Sequence, residues 1–206
     1  MEKLLSHLSF LYGSERGLEL LNRVWEILDQ YRARIPRVDF HISQRDCMLI
    51  TYADQVRREN DAPLHALGDF CEEFLHDLIT AVHLLPFYPW TSDDGFSVID
   101  YRAVASEFGS WSDVQRLGRH FQLMFDAVIN HVSVESEWFK GFLAGHPIYR
   151  EYFISVDGSP DLSKVVRPRA LPLLTSFQTT SGHKQVWTTF SSDQVDLNYG
   201  NPLVLM

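Results

Sequence analysis

The chain has 206 residues, 45% of them hydrophobic and 13% aromatic, which is enough to bury a sizeable core. Its 27 Asp and Glu outweigh 18 Lys and Arg, and the formal net charge of −9 repels phosphate backbones and anionic membranes, which argues against nucleic acid and membrane partners. Met1-Glu2-Lys3-Leu4-Leu5 is no secretory signal, no run approaches the ~18 apolar residues of a membrane span, and two cysteines make no disulfide framework, so the expected location is cytoplasmic.

In chain order, residues 1–34 carry helical spacing, first Leu4, Leu8 and Leu11, then Leu18, Leu21, Val24, Trp25 and Leu28 after Gly13-Ser14. They predict a helical extension over 1–45, closed by Pro36. Cys47–Tyr52 is short and continuously apolar, as a strand covered on both faces must be. Leu67, Phe70, Cys71, Phe74, Leu75 and Leu78 then describe one side of a helix. A second strand, Ala81–Phe87, is stopped by Pro86 and Pro89. Ser110 and Asp113 are spaced as a reciprocal cap for another helix, with Val114, Leu117 and Phe121 facing inward. Leu123–Asn130 is the third strand.

Strand and helix alternate at intervals of roughly 35–40 residues, which predicts right-handed βαβ units and a parallel sheet over 46–131, either barrel or doubly wound. The alternation lapses after Val132. A short helix with Trp138, Phe139, Phe142 and Leu143 and a strand at Val186–Phe190 predict an inserted subdomain over 132–190. Residues 191–206 return to the main fold, with Asn201-Pro202 opening a further helix.

The three strands end in Tyr52 and Asp54, in Asp93 and Asp94, and in Asn130 and His131. Parallel strands of an α/β barrel bring such residues to one face. Asp93 followed by Phe96 offers a carboxylate for sugar hydroxyls beside a ring for the apolar sugar face, although Ser92–Gly95 also reads as an exposed acidic turn. His131, with Asp126 earlier in the strand, is either a ligand donor or a satisfied structural histidine. Arg167 and Arg169 flank Pro168 and could present a guanidinium to phosphate, or simply occupy a solvated loop. The nine histidines form no paired spacing, and there is neither a Cys-x-x-Cys pair nor a phosphate-cradling glycine run. Neither a metal nor another cofactor is expected.

Five strings carry a resemblance: ITYAD (50–54), HLLPFYPWTSDDGFSVIDY (83–101), FGSWSDV (108–114), FDAVINHVS (125–133) and VRPRALP (166–172). Together they resemble the sucrose phosphorylase branch of the α-amylase superfamily, glycoside hydrolase family 13. SDDGFSVIDY and the helical extension are more similar to its glucosylglycerate phosphorylase members. The resemblance implies an α/β fold, the first three strands of a (β/α)8 TIM barrel with an inserted domain B. It implies retaining transfer of glucose from a glucoside to inorganic phosphate, giving α-glucose 1-phosphate. By position, Asp93 and His131 correspond to the pair gripping the glucosyl hydroxyls, Phe96 to the ring beside them, and Arg169 to a loop arginine for phosphate or acceptor. Val166 stands where a sucrose phosphorylase would carry tyrosine, which argues against sucrose. The nucleophile and acid/base of the family lie on strands four and five, so the chain is expected to be an N-terminal fragment, inactive alone. A hydrolase or transglucosylase of the same superfamily, and a non-catalytic carbohydrate-binding remnant, stand as alternatives.

Overall fold

The computed structural model describes residues 2–35, 42–166 and 170–206. The chain divides into two compact units, Met1–His41 with Asn198–Met206, and Ile42–Leu197.

In the first unit, α1 (Glu2–Tyr12) and α2 (Ser14–Arg32) turn back on each other at Gly13, whose φ of 83° is a conformation glycine adopts freely. Leu8, Leu20 and Leu21 are buried between them, with Leu4, Leu5, Tyr12, Trp25 and Met206 packed around. The helices approach closely at Gly17, where a Cβ would lie 2.8 Å from the Ser9 backbone. This crossing selects the Leu8 side of α1 and the Leu20–Leu21 side of α2, so Leu11 of α1 and Leu18 and Leu28 of α2, expected inside, are exposed. Tyr12 Oη donates to the Tyr199 carbonyl at 2.9 Å. The helix expected from Asn201-Pro202 is a single 3-10 turn, Pro202–Val204, whose Leu203 N–H donates to the Asn201 side chain.

The second unit begins with β1 (Met48–Thr51), then α3 (Pro63–Phe70) running into a π-helical turn (Cys71–Leu75), then β2 (Ala81–Leu84), α4 (Trp111–Leu117) and β3 (Gln122–Phe125). The strands pair parallel in the order β1-β2-β3, with Leu49, Val82 and Leu123 in register. These three and Leu84 pack against Leu64 and Leu67 of α3 and Cys71 of its π turn, and against Val114 and Leu117 of α4 and Phe121 beyond it. Both crossover helices therefore cover the same face.

The sequence expectation fails in four places here. Met48, Ile50 and Met124 point to the other face and are 40%, 62% and 46% exposed, because none of the described residues of this unit layers over it. Cys47, expected in a buried strand, precedes β1 and is exposed. Phe70, Phe74 and Leu78 are exposed as well: the inward line is narrower than expected, running Leu64, Leu67 and Cys71 and then, through the π turn, Leu75 and Ile79. β3 also stops at Phe125, so Asp126 emerges at the strand end instead of within it.

Beyond β3 come β4 (His131–Ser133), α5 (Glu137–Leu143), β5 (Ser155–Val156), β6 (Leu174–Thr179), β7 (Gly182–Trp187) and β8 (Gln194–Asp196). α5 starts at Ser136, whose Oγ accepts from the Phe139 N–H at 3.2 Å, and it buries Phe139 and Phe142 against Phe153. β6 and β7 form a hairpin with β5 on the far edge of β7. β4 and β8 pair antiparallel with His131 opposite Asp196, which returns the chain to the end of the parallel sheet. Among the described residues no helix is long and apolar enough to cross a membrane.

Candidate functional site

A cavity of about 450 Å³ opens at the C-terminal ends of the three parallel strands, lined by Tyr52 after β1, Asp93, Asp94 and Phe96 after β2, Asp126, Asn130 and His131 after β3, and Phe190. Asp93, Phe96 and His131, singled out in the sequence, are brought together. Arg169 lies outside the described residues.

Asp93–Gly95 form one 3-10 turn with φ of 58°, 51° and 98°, three successive residues in the left-handed region. Aspartate tolerates that region better than most residues, and at 95 only glycine fits, since a Cβ would lie 2.7 Å from the Pro86 carbonyl. The acidic-turn reading of Ser92–Gly95 is thus correct as local structure, and the same turn presents Asp93 to the cavity.

Gln194 on β8 was not foreseen. It is fully buried, and its Nε2 donates to Asp93 Oδ2 at 3.1 Å and lies 3.2 Å from His131 Nε2, while its Oε1 accepts from Ser191 Oγ at 2.8 Å. His131 Nε2 is also 3.1 Å from the Phe96 carbonyl, and Nδ1 is buried without a partner among the described residues. If Nε2 carries the proton it donates to Phe96, and Nδ1 is a bare acceptor. In the other tautomer Nε2 accepts from Gln194, and Nδ1–H is an unsatisfied donor. Either way a ring nitrogen remains for a ligand.

Burial pushes the His131 pKa below its ordinary value, against the Phe96 carbonyl and the carboxylates of Asp196, Asp93 and Asp193, so the ring is neutral at pH 7. Burial raises Asp196, opposed by the hydroxyl and N–H of Thr189 and by His131. The Tyr52 phenol is also raised, by desolvation and then by the charges of Asp94, Asp126, Asp93 and Asp54, which keeps it a proton donor. Asp126 accepts from or donates to His83 Nε2 at 3.0 Å, and the rings of His131 and Phe190 lie 4.9 Å apart. Asp54 is held by Arg57 at 2.5 Å and faces a neighbouring cavity with Tyr52, Trp90 and Phe108.

The cavity thus offers carboxylate acceptors, a neutral imidazole and a phenol between two aromatic side chains, Phe96 and Phe190. This chemistry suits a polyhydroxylated ring better than an anion, which the carboxylates would repel. Of the residues missed, Phe190 lay at the end of a predicted strand as a core-type aromatic. Gln194 had no local signal, because it reaches Asp93 only through the β4–β8 pairing. Away from the cavity, Asp61, His65 and Asp69 place ligand-type atoms within 4.8 Å of one another, but Arg58 pairs with both aspartates and Arg116 with Asp69, so the carboxylates are already neutralised.

Residues 73–205 match the family described as the α-amylase catalytic domain. The chain is 53% identical over 205 residues to the glucosylglycerate phosphorylase of Allomeiothermus silvanus, covering 100% of this chain and 36% of that protein. It is 35% identical over 162 residues to the sucrose phosphorylase of Streptococcus mutans, covering 73% of this chain and 33% of the other. Among solved structures, the sucrose 6F-phosphate phosphorylase from Thermoanaerobacter thermosaccharolyticum superposes with a TM-score of 0.71 at 31% identity, over 80% of this chain and 36% of that one. The chain spans about a third of the length of the curated relatives it matches. These matches identify the three parallel strands with part of a (β/α)8 barrel, and the chain belongs to the α-amylase catalytic-domain family, glycoside hydrolase family 13.

Proposed function

We propose that Asp93, Phe96, His131 and Gln194 form one wall of the donor-glucose subsite of an α-glucoside phosphorylase, with glucosylglycerate the favoured glucoside and inorganic phosphate the acceptor. The observation that carries the reading is the hydrogen-bonded set linking Asp93, Gln194, His131 and the Phe96 carbonyl at the cavity wall. In it, Asp93 accepts from paired hydroxyls, His131 offers its unpartnered ring nitrogen to another, and Phe96 and Phe190 meet the apolar faces of the sugar.

Retaining transfer needs two carboxylates ~5 Å apart, one as nucleophile and one as acid/base. None of the cavity carboxylates is assigned either role, and the wall binds and orients. Arg169 is the candidate to receive phosphate or glycerate charge, which the acidic rim cannot. Residues 132–190 serve in this reading as the inserted domain B and residues 1–45 as a helical extension. Free phosphate as acceptor and a charged sugar phosphate as product fit a cytoplasmic setting.

The test is a chimera in which this chain replaces the matching third of the Allomeiothermus silvanus relative, assayed for glucose 1-phosphate from glucosylglycerate. Phosphate-dependent turnover, reduced about a hundredfold or more by Asp93→Ala, is expected. A folded chimera that releases glucose without needing phosphate would move the assignment to a hydrolase, and one with no turnover would remove the reading.

A further inference from the structure

Asp193 lines neither cavity wall, yet more hydroxyls converge on it than on any other carboxylate near the site. Ser191 Oγ donates to its Oδ1 at 2.6 Å, and Ser92 Oγ and Thr91 Oγ1 donate to its Oδ2 at 2.5 and 3.0 Å. Its own carbonyl accepts from Ser97 Oγ at 3.2 Å and from the Val134 N–H at 3.0 Å. These donors come from two stretches of chain about a hundred residues apart, the segment leading into the Asp93 turn and the segment leading into β8.

We propose that Asp193 is a positioning residue for the donor-glucose subsite: its carboxylate ties the left-handed turn that carries Asp93 to the strand that carries Gln194, so that the two side chains meet. The proposal rests on the function read above. A run of three left-handed residues persists only where the surroundings over-determine it, and the hydroxyls on both sides of the turn, Thr91, Ser92 and Ser97, supply that determination through Asp193. The chemistry requires a carboxylate. An ionised carboxylate only accepts, so it can take Thr91, Ser92 and Ser191 together as donors. An amide of the same shape keeps one acceptor oxygen and turns an NH2 towards a hydroxyl already committed elsewhere. The group is ionised: burial would raise it, but the hydroxyls of Ser191, Ser92, Thr91 and Ser97 outweigh burial and hold it below the usual carboxylate range. The single proton of Ser191 Oγ lies between Asp193 Oδ1 and Gln194 Oε1 as a bifurcated bond, which links the cage to the oxygen end of the Gln194 amide.

The experiment uses the full 206-residue chain, ¹⁵N-labelled, with Asp193→Asn and, as a change that spares the charge, Ser92→Ala. The Gln194 side-chain amide is read directly by its resonances and its exchange with water, and D-glucose affinity is read by titration. Both variants are expected to return the Gln194 amide to the shifts of a free amide, to speed its exchange at least tenfold, and to weaken D-glucose at least tenfold while the remaining backbone spectrum stays folded. An unchanged Gln194 amide in both folded variants overturns the proposal, and Ser92→Ala decides if Asp193→Asn does not fold. If the unsubstituted chain shows no response to D-glucose, the donor-subsite reading falls, and the Gln194 amide alone still decides whether Asp193 holds the two segments together.

Discussion

Two histidines set opposite pH dependences that separate cleanly on the pH axis. His131 is depressed by burial below the ordinary 6.5, so the unfolded chain takes up a proton before the folded one, and stability is lost as pH falls from 6.5 towards the folded value. His65 is raised by its hydrogen bond to Asp61, with Asp69 adding and Arg116 opposing, so its contribution is complete below 6.5 and is lost as pH rises through the folded value. Urea midpoints measured from pH 8 to 5 should show His131→Gln flattening the curve below 6.5 and His65→Gln flattening it above. Identical curves for the two variants would contradict these assignments. At this scale the sequence was informative where chemistry sits next to a strand end: Asp93, Phe96 and His131 could be named. Gln194, Asp193 and Phe190 come to the cavity region through pairings made across the fold, which no local pattern announces.

Among the elements, α4 was legible because capping is a local contract between side chain and backbone. Asp113 Oδ2 accepts from both the N–H and the hydroxyl of Ser110, at 2.8 and 2.7 Å. Ser110→Ala should lower unfolding free energy by about 1 kcal/mol, measurable by urea titration, and an effect near zero would show that the cap does not hold the helix. The helix after Pro63 was half legible. Leu67, Cys71 and Leu75 face the sheet as expected, while Phe70, Phe74 and Leu78 do not, because an i, i+3, i+4 pattern marks a broader stripe than the one that packs and does not register the π turn at Cys71–Leu75. Gly95 marks the element on which the site depends. Gly95→Ala would force a Cβ at φ 98° against the Pro86 carbonyl, so loss of D-glucose binding with the rest of the fold retained is the expected outcome in an NMR spectrum of the variant.

For the molecule as a whole, strand spacing left barrel and doubly wound sheet open, and a sheet ordered β1-β2-β3 with both crossover helices on one side fits either; it is the match to the α-amylase catalytic domain and to solved relatives that identifies the barrel. The other side carries Met48, Ile50 and Met124 exposed, between two strand edges without a further strand among the described residues. An apolar face with open edges favours association. The chain should bind a hydrophobic dye and self-associate with concentration, and Ile50→Lys with Met124→Lys should reduce both without loss of the α4 and β2 signals in hydrogen exchange. Dye binding unchanged by that pair would place the sticky surface elsewhere.

The central claim is that segments following three separate parallel strands converge, with β8, on one glucose-holding wall. Titration of the ¹⁵N-labelled 206-residue chain with D-glucose tests it most directly. Shift changes concentrated at Phe96, His131, Phe190 and the Gln194 side chain, and abolished by Asp93→Ala, are predicted. Changes scattered over the surface, or centred away from the strand ends, would contradict it.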